Sequence, residues 1–257
     1  MIQTSRRDVV WSTARACAAF CLNKPVVYKT AAHTQQSVNP PTPSSWTNVP
    51  NGAKVTLFGA EYEAECGPNA IFRNENAIKF ILNRGDPGWP EDVSAGSDGH
   101  RCELDGYKQT ILSGQSFWGA GAFYIDAGPF TTASWLAIQQ HHAAYNFMVN
   151  RNSRALYCGL SGGARLGFIP FVYGRRYHFV NNIISGANGM IRTWIDGRLV
   201  VNFSGAVVPN RYLKIGIYRD KTATDTMILR YDNLEFGTAD LSSRVTSPLP
   251  QTSGFLS

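Results

Sequence analysis

Hydrophobic and polar residues alternate in short segments along most of the chain, beginning near residue 53. A period of two is typical of β-strands that have one buried face. Clusters of glycine, asparagine, aspartate and proline separate the segments, and no amphipathic helical pattern lasts longer than two turns. Asp196 and Gly197 stand between two segments and are typical of a two-residue hairpin turn. The pattern predicts an all-β protein with a single β-jelly-roll sandwich over residues 53–245.

The two ends of the chain lack this alternation. Residues 1–30 contain a twin arginine followed by an alanine-rich, weakly apolar stretch, which is typical of a twin-arginine export signal. Residues 31–52 are rich in proline, serine, threonine and asparagine and are predicted to be a linker. Residues 246–257 are predicted to be a C-terminal tail. We therefore expect an exported protein, periplasmic or secreted; a disordered basic tail is the alternative for residues 1–30.

The net charge limits the kinds of partner. The formal charge is +6, but residues 1–30 account for a net +4, so the remainder of the chain carries only +2. That excess is too small for a general nucleic-acid binder. No apolar run approaches the ~20 residues that a membrane-spanning helix needs. We expect a monomer with no nucleic-acid or membrane partner, whose positive potential is confined to a groove.

The cysteines predict neither a zinc site nor a disulfide framework. Cys66, Cys102 and Cys158 lie outside the predicted export signal, so at most one disulfide can form among them. No CxxC pair occurs, and a zinc site is therefore not expected. Cys102 and Cys158 lie in apolar strand patterns and are predicted to be buried as small hydrophobic residues.

The segment "HRCELD" places two charged residues on one face of a strand. If Cys102 and Leu104 face the core, Arg101 and Glu103 stand together on the opposite face. Taken alone, such a pair is most often an ion pair at the surface.

The segment "YLKIGIYR" has the same kind of alternation. Its apolar residues share one face, and Tyr212, Lys214, Gly216 and Tyr218 share the other. Gly216 would leave open space between Lys214 and Tyr218, as a groove that admits a ligand requires. Taken alone, the pattern is also that of a solvated sheet face.

The segment "WLAIQQHHAAY" carries two glutamines and two histidines in a row. Gln139 and His141 share one face of an extended strand, and Gln140 and His142 share the other. Alternation from the preceding apolar residues favours Gln139 and His141 as the outward pair, whereas a bend or β-bulge would reverse this assignment. Polar residues at the exposed end of a strand are the simplest interpretation.

Taken in order, "RCEL", "QHH" and "YLKIGIY" resemble the three signature strands of jelly-roll polysaccharide lyases. "IKFILNRGDPGWPED", "WLAIQQHHA", "TWIDGRLVVNFSG" and "YDNLEFG" resemble the heparin-lyase-I-like and glucuronan-lyase branches more than the alginate-lyase branch. The resemblance covers roughly residues 60–238 and implies a concanavalin-A-like sandwich with a concave-sheet cleft. Aligned on the tryptophan and the trailing alanine, it selects Gln140 and His142. His141 departs from the usual apolar residue, and Asp105 stands where the alginate branch commonly has a second arginine.

The resemblance implies β-elimination on a uronic-acid polysaccharide, which gives products with a C4–C5 unsaturated uronate end. Arg101 and Gln140 would neutralise the carboxylate beside the C5 proton. In a syn elimination Tyr218 would be both base and acid; in an anti elimination His142 would be the base and Tyr218 the acid. Cationic neighbours of Tyr218 would favour its phenolate. The further substrate-binding residues are predicted to be Glu103, which would orient Arg101, and Lys214, Tyr212, Trp118 and Tyr124.

No cofactor is expected for this reaction. A weaker alternative is Ca²⁺ held in "NRGDPGWPED" through Asp86, Glu91 and Asp92, although their spacing is not that of an EF-hand. A polar loop is the simpler interpretation.

Two other functions fit a β-sandwich of this composition. A noncatalytic carbohydrate-binding domain would keep the aromatic residues and a groove but would not need the Arg, Gln, His and Tyr set. A glycoside hydrolase of this fold needs two carboxylates about 5–9 Å apart. Glu61, Glu63 and Glu65 in "EYEAEC" offer such groups, although they precede the other polar strands and lack aromatic flanks resembling those of that hydrolase family.

Overall fold

The structure, a computed structural model, describes most of the chain from residue 46 onward. The described residues are 46–57, 59–68, 70–74, 76–86, 88–96, 99–106, 111–126, 132–142, 144–150, 155–160, 163–209, 212–252 and 255–256. The predicted export signal and most of the predicted linker lie outside them. Within the described residues, no helix is long and apolar enough to cross a membrane.

The described chain is almost entirely β-structure. The first eight strands are β1 (Thr47–Val49), β2 (Lys54–Leu57), β3 (Ala60–Glu65), β4 (Ile71–Asn74), β5 (Ala77–Leu82), β6 (Gly99–Asp105), β7 (Ser116–Ile125) and β8 (Leu136–His141). The next eight are β9 (Tyr145–Asn150), β10 (Ala155–Leu160), β11 (Arg165–Pro170), β12 (Arg176–Ile184), β13 (Gly186–Ile195), β14 (Arg198–Val207), β15 (Leu213–Asp220) and β16 (Met227–Gly237). One α-helix, α1 (Pro90–Ser94), and one 3₁₀ helix (Ser242–Val245) accompany them.

The strands form two eight-stranded antiparallel sheets. Sheet A has the order β1-β4-β5-β16-β7-β12-β13-β14, and sheet B has the order β11-β10-β9-β8-β15-β6-β3-β2. Many spatial neighbours are distant in sequence, as expected of a jelly roll, in which strands from both halves of the chain alternate within one sheet. The predicted all-β sandwich is confirmed.

The core lies between the sheets and is rich in aromatic residues. Phe147 of β9 packs edge-on against Phe179 of β12, with ring centroids 5.7 Å apart. Tyr231 of β16 is fully buried and donates a hydrogen bond to the carbonyl oxygen of Ile138 in β8 at 2.6 Å. A buried aromatic pair contributes about 0.5–1.5 kcal/mol beyond its area. These contacts join sheet A directly to β8 and β9 of sheet B.

The boundaries of the sandwich differ from those predicted. Strand β1 lies within the predicted linker and pairs with β4. The C-terminal segment predicted to be a tail packs on the sandwich, because Phe255 is fully buried and the Thr252 amide donates to Asp232 at 3.1 Å. The sequence pattern did not indicate β1, β4 or β11: β1 and β4 have only three and four residues, and β11 contains a glycine and ends on a proline. Burial of Cys102 and Cys158 is confirmed.

Gly216 is required by the close approach of two strands. An added Cβ would lie 2.3 Å from the carbonyl oxygen of Cys102 and 2.7 Å from the Cα of Glu103. Its φ of +139° is also unfavourable for a side chain. The space predicted to be open between Lys214 and Tyr218 is therefore occupied by the backbone of β6.

We expect Gly216→Ala to destabilise the protein more than Gly237→Ala does. Gly237 has a similar φ of +153° but nothing within 4 Å of an added Cβ, so it reproduces the backbone strain without the clash. The difference in free energy of unfolding, measured by denaturant titration, should be about 1–3 kcal/mol. Equal destabilisation by the two variants would contradict the close packing of β6 on β15.

Candidate functional site

A groove with a volume of about 470 Å³ lies on the outer face of sheet B. That volume is within the range of small-ligand and substrate sites. The lining residues belong to β8, β9, β10, β11 and β15 or their flanks: Trp135, Ala137, Gln140, Asn146, Met148, Tyr157, Gly159, Leu160, Gly163, Arg165 and Tyr218.

The groove follows from the antiparallel register of sheet B. Residues opposite one another on neighbouring strands form rows across the sheet. One row consists of Tyr157, Met148, Ala137, Tyr218 and Arg101. The next row consists of Gly159, Asn146, Gln140, Lys214 and Asp105. Because Ala137 and Gly159 have small or no side chains, the floor is low between the larger neighbours.

A β-bulge decides which glutamine faces the groove. The register of β8 shifts against β9 between Ala137 and Gln139, and β15 shifts against β8 between Ile215 and Tyr218. Ile138 and Gln139 are consequently both buried on the core side, whereas Gln140 faces the groove. The assignment that alternation favoured is wrong because it assumes a strand without a bulge.

Gln139 and His141 form a buried pair in the core. Gln139 Nε2 and His141 Nε2 are 2.9 Å apart, and the imidazole packs edge-on against Phe117. Burial lowers the pKa of His141 to about 3, so this histidine is neutral at physiological pH. These two residues stabilise the interior and do not face the groove.

His142 and Tyr218 lie near opposite ends of the β8–β15 strand pair. His142 stacks on Tyr212 with ring centroids 4.3 Å apart, and its amide donates to the Tyr212 carbonyl. Tyr218 pairs with Ala137 and packs against Trp135, with ring centroids 4.9 Å apart. His142 directly follows β8 and is five positions after Ala137, which corresponds to roughly 15 Å along the strand direction. The structure does not bring these two predicted acid–base residues together.

Arg101 is held by acidic and aromatic side chains. Its Nη2 donates to Asp92 at 2.9 Å, its Nε also donates to Asp92, and its Nη1 donates to Glu65 at 2.9 Å. The guanidinium carbon lies 5.2 Å from the Trp89 ring centroid and 4.8 Å from that of Tyr218. Burial opposes the charged form, but the neighbouring carboxylates outweigh it and raise the pKa of Arg101. Three of its five N–H groups are used in these bonds.

Lys214 and the acids around it form the other half of this cluster. The ammonium nitrogen lies 3.0 Å from Glu65 Oε2 and 2.6 Å from Asp105 Oδ2. Burial alone would raise the pKa of Glu65, but direct contact with Lys214 and Arg101 lowers it. At Asp105 burial prevails over the attraction of Lys214 and raises the pKa to about 6. Lys214 is thus committed to carboxylates of its own chain.

Glu103 is the most buried acid of the cluster. It is 0% exposed, accepts a 2.7 Å hydrogen bond from Gln140 Nε2, and lies 4.0 Å from Arg101. Because neither cation contacts it as closely as both contact Glu65, burial prevails and raises the pKa of Glu103 to about 7. Glu103 orients Gln140 directly, whereas Asp92 and Glu65 are the main partners of Arg101.

Two predicted substrate-binding aromatics lie on the other sheet. Trp118 is buried on β7 of sheet A, where it stacks on Trp194 with ring centroids 6.5 Å apart. Tyr124, also on β7, packs edge-on against Phe255. The sequence pattern of β7 is almost wholly apolar and does not indicate which sheet receives it. The structure therefore does not place Trp118 or Tyr124 at the groove.

The acids of the predicted calcium loop have separate roles. Asp92 binds Arg101, Asp86 accepts a 2.8 Å hydrogen bond from the Gly88 amide, and Glu91 is exposed on α1. Within the described ranges, no group of three or more His, Cys, Asp or Glu side chains is arranged to hold a metal ion.

Several residues of this face have roles that were not assigned to them from the sequence. Asp92 and Glu65 hold Arg101, Trp135 packs on Tyr218, and Tyr157 and Arg165 line the far part of the groove. Alternation places Glu65 on the outward face of β3, as it places Glu103 on the outward face of β6. Only the sheet order shows that β3 and β6 are neighbours, so that Glu65 lies opposite Glu103. The sequence offers no comparable signal for Asp92.

The described chain is similar to solved structures of polysaccharide lyases. It has a TM-score of 0.52 and 14% identity to an alginate lyase of polysaccharide lyase family 7, A1-II′, over 77% of this chain and 96% of that one. For an alginate lyase from Corynebacterium sp. the TM-score is 0.51 and the identity 14%, over 66% and 81% of the two chains. An endo-β-1,4-glucuronan lyase from Trichoderma reesei has a TM-score of 0.49 and 15% identity, over 77% and 96%.

No family model and no curated protein matches the sequence. The two similarities with TM-scores above 0.5 establish the fold. The protein has the jelly-roll fold of polysaccharide lyases, and the two solved structures on which this statement rests are alginate lyases.

The raised pKa of Glu103 predicts a pH-dependent stability. An acid whose pKa rises from 4.5 to about 7 on folding holds its proton more tightly in the folded state, so stability falls as the pH rises through this window. Glu103→Gln removes the titration. Between pH 4.5 and 8, the free energy of unfolding of wild type should fall by roughly 3 kcal/mol relative to that of the variant.

Denaturant titrations at several pH values measure this difference. Asp105→Asn is the comparison, since the pKa of Asp105 rises only from 3.8 to about 6. The difference in free energy of unfolding between wild type and Asp105→Asn should therefore reach its final value at a lower pH. A constant difference between wild type and Glu103→Gln across the range would show that Glu103 titrates like an exposed acid.

Proposed function

We propose that the protein is a polysaccharide lyase that cleaves a uronic-acid polysaccharide by β-elimination. The observation that carries this proposal is the composition of the groove. Its described lining contains tyrosine, tryptophan and amide side chains and Arg165, but no carboxylate. Next to the groove, Glu65, Asp92 and Asp105 form ion pairs with Arg101 or Lys214. An acid-free groove with aromatic walls suits an anionic sugar chain.

The same observation argues against hydrolysis. Glycoside hydrolysis needs two carboxylates that flank the scissile bond. Glu65 is only 8% exposed, Glu103 is 0% exposed, and neither lines the groove. Glu61 forms an ion pair with Lys54 near the edge of sheet B.

Tyr218 is the group that we propose for proton transfer. It lines the groove, and its phenolate would take the C5 proton of the uronate. The electron pair of the C5–H bond becomes the C4–C5 double bond as the C4–O4 bond breaks. Tyr218 then returns the proton to the leaving oxygen, so neither water nor an outside proton is consumed. His142 is next to Tyr212, about 15 Å along the strand direction from Ala137, the partner of Tyr218, and would not reach the same carbon.

Gln140 and Arg101 would stabilise the negative charge that develops on the uronate carboxylate. Gln140 lines the groove and is fixed by Glu103. Arg101 is next to Tyr218, retains a 15% exposed side chain, and has N–H groups beyond those that bind Asp92 and Glu65. Donors that are positioned before the reaction contribute most to stabilising such an anion.

Ultraviolet absorbance tests the reaction directly. Purified protein is mixed separately with alginate, glucuronan, heparin and pectate. A rise in absorbance from the conjugated C4–C5 double bond on one of them is the expected result and identifies the substrate. New reducing ends without that absorbance would indicate hydrolysis, and binding without turnover would indicate a carbohydrate-binding domain.

We expect Tyr218→Phe to lower kcat by about 10²–10⁴-fold, the usual contribution of a general acid–base group. His142→Ala should lower it by less than about tenfold, because His142 lies too far from Tyr218 to share its proton transfer. Arg101→Ala should be at least as damaging as His142→Ala. Steady-state kinetics on the active substrate measure these effects, with thermal unfolding as the control for folding. Equal losses in Tyr218→Phe and His142→Ala would favour the anti mechanism.

A further inference from the structure

The part of the groove farthest from Tyr218 holds an arginine that the proposed chemistry does not use. Arg165 begins β11 and is exposed. Its guanidinium carbon lies 4.5 Å from the ring centroid of Tyr157 on β10. Of the described residues that line the groove, Arg165 is the single charged one.

Arg165 has different partners from Arg101 and Lys214, the other two cations discussed on this face. Arg101 and Lys214 are buried against Glu65, Asp92 and Asp105, which offset most of their positive charge. Arg165 stacks instead on an aromatic ring, which restrains the guanidinium but supplies no negative charge. Its positive potential is therefore directed into the groove, where no described lining residue is acidic.

The register of sheet B fixes how far this arginine lies from the proposed reaction. Tyr157 and Tyr218 belong to the same row, with β9 and β8 between their strands. Three strand spacings of about 4.8 Å separate them by roughly 14 Å. This distance exceeds one sugar ring, so a chain bound at Tyr218 must extend across the groove before it reaches Arg165.

We propose that Arg165 and Tyr157 form a distal subsite that binds the carboxylate of a uronate residue away from the scissile bond. This proposal rests on the proposed function. It assigns to Arg165 the recognition of an acidic sugar at that distance from Tyr218. The guanidinium binds the carboxylate through its fork of N–H groups, and the Tyr157 ring holds it in place. The subsite contributes to binding and not to proton transfer.

The test uses Arg165→Ala and Arg165→Lys on the polyuronate that wild type cleaves. On the polymer, Arg165→Ala should raise KM about five- to tenfold and change kcat by less than about twofold, because the lost contact is equal in ground and transition states. Arg165→Lys should recover part of the loss, since lysine keeps the charge without the fork. Oligosaccharides too short to span the groove should show no change. Arg192→Ala, at an exposed position on sheet A, is the matched control.

The outcomes separate this proposal from the proposed function. If wild type is active and Arg165→Ala has an unchanged KM on the polymer, or loses kcat instead, the subsite is overturned and the lyase is not. If wild type gives no elimination on any of the four polyuronates, electrophoresis in gels containing each of them tests the subsite by binding. Retardation of wild type and Arg192→Ala, but not of Arg165→Ala, supports it. Absence of retardation of wild type, or equal retardation of all three, overturns it.

Discussion

A buried cluster of two cations and four acids beside one end of the groove is the interaction on which the face of sheet B depends. Arg101 and Lys214 share Glu65, and Asp92 and Asp105 complete their coordination. Each charge has lost most of its hydration, so removing one partner would leave the others uncompensated at a cost of several kcal/mol. The cluster ties α1 to β6, and β3 to β6 and β15. It also explains why the described lining of the groove contains no carboxylate although Glu65, Glu103 and Asp105 lie on the same face.

Arg101 connects this cluster to the groove. Its guanidinium lies between the rings of Trp89 and Tyr218, so the same side chain that neutralises Asp92 and Glu65 also positions the tyrosine. Glu103 has a comparable role for Gln140, which it holds at 2.7 Å. Tyr218 and Gln140 are therefore positioned by buried ionic partners. Such support restricts their rotamers before a ligand arrives, and it couples the arrangement of the groove to protonation of Glu103 near neutral pH.

The groove has two parts with different character. Around Tyr218 and Gln140 it is close to the ionic cluster. Around Tyr157 and Arg165 its described lining carries one cation, stacked on an aromatic ring, and no acid. The part around Tyr157 and Arg165 is built by the consecutive strands β10 and β11, whereas the part around Tyr218 and Gln140 joins β8 to the distant strand β15. The two parts meet across the low floor at Ala137. An extended, shallow site of this kind suits a polymer more than a compact metabolite, which would be enclosed on more sides.

The sequence by itself determined the all-β class, the single sandwich and the outward faces of β6 and β15. A period of two carries that information wherever a strand is regular. Order of the strands and the bulge in β8 came only from the tertiary structure, because they depend on contacts between segments distant in sequence. Thus alternation selected Gln139, whereas the bulge turns Gln140 outward. Likewise "HRCELD" indicated that Arg101 and Glu103 share a face, but pairing of β3 with β6 brought Glu65 to Arg101. The separation of His142 from Tyr218, and the place of Trp118 and Tyr124 on sheet A, were decided by register and sheet assignment, which alternation along one strand does not encode.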